Sequence, residues 1–238
     1  MSAAREGAWM NGTAAGRQQP FLDRVDERAR ERLLQMGTQQ EYAPKQPLMR
    51  TGEPGEYVML LRHGYVKVAS VDQEGTAIIL DIGVPGDLHG EIAVVAGGTR
   101  MADVVAIDRV QARRIGASEF ERFLTEHPAA MKELLISVSQ RFVVAQQQRT
   151  QSWKPQAITR VARRLDYLVD ACGVETDEGW RIAIPLSQDE LAQFIPMGRT
   201  MVAKALNTLR DEGIVASARK SFTVTDRFKL RERADTEV

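Results

Sequence analysis

Between Tyr42 and Arg114 the apolar residues come in short runs cut by glycines. Tyr57-Val58-Met59-Leu60-Leu61 runs up to Gly64, Tyr65-Val66-Lys67-Val68 alternates, and Ala77-Ile78-Ile79-Leu80 precedes Gly83. Val104-Val105-Ala106-Ile107 and Val110-Gln111-Ala112 close the series. Runs of this length, separated by Gly, Pro and Asp, predict an all-β barrel or sandwich. The glycines at 52, 55, 64, 75, 83, 86 and 90 fall at its corners, where a positive φ is expected.

The period changes to that of a helix at Ala117, with Phe120, Phe123 and Leu124 on one face, and breaks at His127-Pro128. Pro128 suits the first turn of a long helix running to about Trp153. Along it Leu135, Val138, Phe142 and Ala145 recur at spacings of three, four and three, the seam of a coiled coil. The simpler reading is a helix packed on its own barrel. Length and a narrow seam favour pairing with a second chain, so a homodimer is expected. Before the barrel, residues 1–20 lack apolar periodicity and predict a disordered leader. Asp23 to Met36 predicts a short charged helix carrying Leu33 and Leu34. The expected division is 1–20 leader, 21–127 sensor domain, 128–154 dimerisation helix and 155–238 DNA-binding domain, with the boundary at Lys154-Pro155.

Past that boundary Ile158 to Val169 is an amphipathic helix and Arg181 to Ile184 a short strand. Ser187-Gln188-Asp189-Glu190 is a capping box, Ser capping the amide of Glu190 while Glu190 reaches back. Leu191, Phe194 and Ile195 give that helix its buried face, and Pro196-Met197-Gly198 makes a turn. Arg199 to Asp211 forms a second helix with Val202, Ala205, Leu206 and Leu209 inward, stopped at Gly213. That leaves Arg199, Thr200, Ala203, Lys204, Asn207 and Arg210 outward. A hairpin follows, with Arg219-Lys220 at its tip and Phe222 and Val224 alternating. Helix, turn, helix and wing form a DNA-reading module.

Charge supports this only locally. Lys+Arg and Asp+Glu number 32 each, so no global basic excess exists. From Arg199 to Arg233, however, nine Lys/Arg face four Asp/Glu, a local excess of five that suits phosphate. Hydrophobic content of 43% and charged content of 27% are those of a globular protein. No apolar run reaches the roughly 18 residues of a membrane span and no secretory signal is present, so a cytoplasmic protein without membrane contact is expected. A lone cysteine, Cys172, excludes an intrachain disulfide and a Cys-ligated iron–sulfur cluster; it reads as a small apolar residue near a helix end. Three scattered histidines, His63, His89 and His127, supply no metal site, and no Walker loop, HExxH or Ser/His/Asp set is present. No catalytic residue is assigned.

Three stretches together resemble the cyclic-AMP receptor protein / fumarate-nitrate regulator superfamily. They are Gly52-Glu53-Pro54-Gly55-Glu56 before a strand ending at Gly64; Gly86-Asp87-Leu88-His89-Gly90-Glu91-Ile92-Ala93 with Arg100 nine positions after Glu91; and the helix-turn-helix from Leu186 to Leu209. The resemblance covers residues 21–226. It implies an α+β fold: an N-terminal β-roll of the cyclic-nucleotide-binding, jelly-roll type, a long dimerisation helix and a C-terminal winged helix-turn-helix. It also implies a homodimeric, sequence-specific transcription regulator that binds a palindromic double-stranded operator and, as an activator, RNA polymerase.

For the effector, the resemblance implies Gly90, Glu91, Ile92, Arg100, Met101 and, on the dimer helix, Gln146. Glu91 would accept from a ribose hydroxyl and Arg100 would pair with a cyclic phosphate. This chain departs from the pattern where Met101 stands for a phosphate-binding Ser or Thr, and where Ala145 and Gln146 stand for a polar pair reaching the base. Those losses argue against tight binding of cyclic AMP. Haem, which His89 would have to ligate, is disfavoured because that residue reads as a polar loop residue. For DNA, the resemblance places Ser187 at a phosphate, with Gln188 beside it among the DNA-binding residues, Arg199 on a guanine, and Lys204 where an Arg is common. Thr200 and Met201 replace a Glu and a Thr, and Arg219 and Lys220 form the wing tip. Two other readings stand beside this one: an effector-independent regulator with a degenerate pocket, and a ligand-binding regulatory subunit acting on protein partners.

Overall fold

Tyr57–His63 explains the architecture of the first part of the chain. Its unbroken apolar run is buried on both faces: Val58 and Leu60 point one way and Met59 and Leu61 the other, as the two-residue period of a strand requires. The computed structural model describes residues 17, 19–71, 75–150, 156–195, 197–218 and 220–235, with residues 142–150 given by backbone. The chain forms two units, Gln19–Trp153 and Lys154–Val238.

In the first unit the elements are α1 (Phe21–Arg24), α2 (Glu27–Gln35), β1 (Thr38–Tyr42), β2 (Pro47–Met49), β3 (Tyr57–His63), β4 (Val66–Val71), β5 (Ala77–Gly83), β6 (Leu88–His89), α3 (Glu91–Val95), β7 (Asp103–Ala106), β8 (Val110–Gly116), α4 (Ala117–Glu126) and α5 (Pro128–Thr150). Strand pairing is antiparallel throughout, in two four-stranded sheets ordered β1-β8-β3-β6 and β2-β7-β4-β5. Met49, Met59, Leu61, Val66, Val104 and Val110 fill the space between the sheets. On the other face of β3, Val58 and Leu60 pack with Leu33 of α2, Phe120, Phe123 and Leu124 of α4, and Ala130 and Leu134 of α5.

The glycine corners are of two kinds. Positions 52, 64, 75, 86 and 90 have positive φ, whereas Gly55 and Gly83 are required for space: a Cβ at Gly55 would sit 2.4 Å from the Ala93 carbonyl oxygen. Asp26 caps α2 by accepting from the Ala29 amide at 2.9 Å. At the other end Arg113 of β8 donates to the carbonyls of Gln35, Met36 and Gly37, satisfying orphan acceptors.

Helix α5 has one face buried in its own unit and an exposed apolar stripe beside it. Ala130 and Leu134 are buried against the barrel, while Leu135 stands 65% exposed and Met131 46% exposed, with Val138 half-buried. The packed-helix reading and the seam therefore describe adjacent faces of one helix, one residue apart. The side chains of Phe142, Ala145 and Gln146 lie outside the described residues.

The second unit comprises α6 (Ala157–Cys172), β9 (Gly173–Thr176), β10 (Gly179–Ile182), α7 (Gln188–Phe194), α8 (Arg199–Asp211), β11 (Val215–Ala218), β12 (Ser221–Val224) and α9 (Arg227–Asp235). Its sheet runs β11-β12-β10-β9. Leu165, Leu168, Leu191, Phe194, Val202, Leu206, Leu209, Phe222 and Val224 form its buried interior. Cys172 ends α6, buried, with its Sγ donating to the Leu168 carbonyl at 3.3 Å. Among the described residues no helix is long and apolar enough to cross a membrane.

Helix α9 corrects the charge argument. Leu230 and Ala234 bury its inner face, and its basic residues pair with acids of the same unit. Arg227 bonds Asp166 (2.7 Å) and Asp170; Arg231 bonds Asp166 (3.1 Å); Arg233 pairs with Glu212; Lys229 pairs with Asp226 (3.3 Å). Four of the nine basic residues counted from Arg199 to Arg233 thus balance acids of the same unit and do not extend the basic face.

Candidate effector pocket and DNA-reading surface

In the first unit the cassette is built by the turn from β6 into α3. Gly90, the N-cap of α3, has φ +84°, and a Cβ there would meet Arg100 Nη1 at 2.4 Å and Met49 Sδ at 2.9 Å. Backbone conformation and the close approach of Arg100 each demand glycine.

Arg100 is buried, only 3% exposed. One Nη donates to the Gly90 carbonyl at 2.7 Å, the other to the Tyr57 carbonyl, and the guanidinium lies 4.7 Å from the Tyr57 ring centre. Its Nε is buried without a hydrogen-bond partner among the described residues. Burial lowers the Arg100 pKa from its ordinary value, opposed by the charges of Tyr57, Glu53 and Glu91. Arg100 is thus held by neutral oxygens and a π-face, without a directly bonded carboxylate among the contacts described.

Glu91 is equally buried, and no bond between it and Arg100 is among the contacts described. It instead bonds Arg141 of α5. Ile92 is half-buried and Met101 is 65% exposed. A carboxylate buried at Glu91 needs a cation, but nothing in the local sequence points to Arg141, fifty residues on. His89, expected in a loop, lies on β6 opposite Met59. Its Nε2 is buried against Gly83 without a partner among the described residues. Among the described residues no group of three or more His, Cys, Asp or Glu converges on a metal position.

In the second unit the capping box is complete: Ser187 Oγ accepts from the Glu190 amide at 3.1 Å, and the Ser187 amide donates to Glu190 Oε2 at 3.1 Å. Arg160 of α6 donates to the Ile195 carbonyl at 2.9 Å, holding the end of α7. Tyr167 meets the Phe194 ring edge-on at 5.8 Å and Arg164 stacks on Phe194 at 3.9 Å, so α7 is fixed on α6.

Helix α8 begins at Gly198, which supplies no side-chain cap, leaving the first-turn amides free of a capping side chain. Val202, Ala205, Leu206 and Leu209 are buried as the period requires, and Arg199, Thr200, Met201, Lys204 and Asn207 are exposed. Ala203 and Arg210, read as outward, are half-buried. Arg199 Nε lies 2.8 Å from Asp189 Oδ1. Ser187 is half-buried, Gln188 exposed. β11 and β12 pair through Ala218 and Ser221, so the wing turns in two residues; Lys220 is exposed there with φ +58°, and Arg219 lies outside the described residues.

Comparison with known proteins agrees with both halves. Residues 39–127 match the model of the cyclic nucleotide-binding domain and residues 159–233 that of the Crp-like helix-turn-helix domain. The chain is 26% identical over 183 residues to the CRP-like cAMP-activated global transcriptional regulator of Mycobacterium tuberculosis, covering 77% of this chain and 82% of that one. It is 25% identical over 230 residues to the HTH-type transcriptional regulator Cmr of the same species, covering 97% and 88%. Among solved structures, FixK2 of Bradyrhizobium japonicum superposes with a TM-score of 0.71 at 21% identity, covering 85% of this chain and all of that one. A sensor domain of the cyclic-nucleotide-binding type followed by a capped helix-turn-helix and wing makes this chain a transcription regulator, not an enzyme, and a member of the Crp/Fnr family.

Proposed function

We propose that the protein acts in the cytoplasm as a homodimer, reads a palindromic operator through α8 and the wing, and is modulated by a small anion in the sensor unit. The observation that carries the DNA reading is the solvent face of α8. There Arg199, Thr200, Met201 and Lys204 stand exposed behind a helix fixed by a complete capping box. Arg199 suits the paired acceptors of a guanine, Met201 offers apolar contact to a thymine methyl, and Ser187, Gln188, Arg219 and Lys220 serve phosphate. Two-fold pairing along Met131, Leu135, Val138, Phe142 and Ala145 places half-sites about 34–36 Å apart. As an activator the protein would in addition contact RNA polymerase.

The test is selection of bound sequences from random DNA, followed by titration of variants. Arg199→Ala should relax one base position and cost about 1–3 kcal/mol, whereas Lys220→Ala should weaken all sequences alike and lower the salt slope. Identical behaviour of the two variants across the selected operators defeats the assignment.

The buried Arg100, with Nε unpartnered, fits an anionic ligand, and the cyclic-AMP-activated relative makes a cyclic nucleotide the first candidate. Ligand phosphate would approach the Arg100 Nε edge and the Gly90 turn, while Glu91 would face a sugar hydroxyl. A second reading is favoured by the Glu91–Arg141 bond and by the carbonyls on Arg100. These satisfy most of the cassette internally, as an effector-independent regulator would need.

A further inference from the structure

Arg199 occupies a position that helix physics disfavours. It is the first residue of α8, where a cation opposes the positive end of the helix dipole, and at 72% exposure its side chain gains little from packing. Asp189, the second residue of α7, is well placed for its own helix, because an acid there complements the dipole. The two meet through Arg199 Nε and Asp189 Oδ1 at 2.8 Å.

The edge used matters. A guanidinium has a side-on edge at Nε and an end-on edge formed by its two terminal nitrogens. A carboxylate on the side-on edge leaves the end-on pair for a second planar acceptor pair, the arrangement guanine presents with O6 and N7 in the major groove. The same carboxylate lowers the net charge that α8 shows to the DNA backbone. A bare arginine is attracted to any phosphate, whereas one neutralised by a neighbouring acid contributes little to sequence-independent binding and keeps its directional donors.

We propose that Asp189 is a positioning residue for base recognition: it holds Arg199 side-on, aims the terminal nitrogens at a guanine, and suppresses binding to random DNA. The proposal rests on Arg199 being a base reader, and the experiment separates the two. The full-length protein is titrated against its strongest selected operator, against that operator with each base pair changed in turn, and against random DNA, over a range of salt.

Asp189→Asn should bind random DNA several-fold more tightly, with a salt slope steeper by about one ion. Its preference for guanine at the Arg199 position should fall about tenfold, the low end of what one good bidentate base contact provides. Asp189→Glu, which keeps the charge, should retain most of that preference. Asp189→Asn added to Arg199→Ala should change base preference no further. If Arg199→Ala leaves base preference intact, the assignment of Arg199 fails. If Arg199→Ala abolishes the preference but Asp189→Asn tightens every sequence equally, Asp189 is only a repelling charge and the proposal is overturned. Thermal melting of each variant, expected to match the parent, separates these outcomes from misfolding.

Discussion

Arg141 on α5 bonds the buried carboxylate of Glu91 at the start of α3, fifty residues earlier in the chain. The bond ties the cassette turn directly to the helix that also carries Leu135. Because Glu91 is almost wholly buried and Arg141 half exposed, removing the arginine leaves an ionised carboxylate with little water access. Arg141→Ala should therefore destabilise the protein by about 1–3 kcal/mol in urea unfolding. Adding Glu91→Gln should recover part of that loss, since a neutral amide is less costly to bury. A double variant no more stable than Arg141→Ala would show that the loss does not come from the unpaired carboxylate.

Assembly follows from the other face of the same helix. Met131 and Leu135 are exposed apolar residues one helical turn apart, continuous with Val138. If two chains pair there with two-fold symmetry, Leu135→Glu places two like charges near the axis. Light scattering should then give monomers at micromolar concentration, and DNA affinity should fall with them. A variant that stays dimeric places the interface elsewhere.

The legible parts of this chain were those where one physical period dominates. The run Tyr57–Leu61 and the inward set Val202, Ala205, Leu206 and Leu209 announced a strand and an amphipathic helix, and both are found. The capping box needs only two residues three apart, and it is present in full. Strand β1 was not legible because it lies at a sheet edge, where Thr38-Gln39-Gln40-Glu41 face water and only Tyr42 is buried. Helix α9 was hidden for a related reason. With two buried residues among many charges it reads as a solvated tail until Asp166 and Asp170 are seen beneath it. The partner of Glu91 required knowing that α5 passes over the cassette, a long-range contact that no local pattern encodes.

Lys220 stands at φ +58°, a left-handed conformation that costs a side-chain-bearing residue about 1–2 kcal/mol and a glycine little. The two-residue turn would accept glycine readily, so a lysine here costs stability that its charge on the wing must justify. Lys220→Gly should unfold at equal or higher denaturant concentration than the parent. Its DNA affinity should drop, with a lower salt slope. Loss of stability together with unchanged DNA binding would contradict both statements.

Cys172 supplies a prediction in alkaline solution. Burial pushes its thiol pKa up, only partly opposed by backbone hydrogen bonds from Ile184 and Ala183. Below the unfolded thiol pKa, about 8.5, both states keep the proton and stability is unaffected. Above it the unfolded chain releases a proton that the folded chain retains, so stability falls as pH rises. Tyr42, its pKa raised to about 12 mainly by burial, acts in the same direction above pH 10. Native protein should therefore react slowly with a thiol reagent at pH 8 and rapidly once unfolded. Cys172→Ala should lessen the fall in unfolding midpoint between pH 8 and 10; an unchanged slope would show that the buried thiol does not titrate differently in the two states.

The effector prediction turns on how Arg100 is satisfied. Both terminal nitrogens already donate to the carbonyls of Gly90 and Tyr57, and only Nε is unpartnered among the described residues. A phosphate entering here has Nε–H and the second N–H of each terminal nitrogen to use, the first N–H of each being held by a carbonyl. Met101, exposed and without a hydroxyl, adds no donor. A lost hydrogen bond to a charged ligand weakens binding by about 1.5–3 kcal/mol, tenfold or more. Cyclic AMP should accordingly bind no tighter than about 10 micromolar in calorimetry of nucleotide-free protein, near −7 kcal/mol. DNA binding should be substantial without it, since a regulator with a weak ligand must populate its DNA-competent state unaided. Arg100→Ala removes two structural bonds as well as any ligand contact, so Arg100→Lys, which keeps the charge, belongs beside it. Sub-micromolar affinity that Arg100→Ala abolishes while the sensor unit stays folded would overturn this reading and establish ordinary nucleotide sensing.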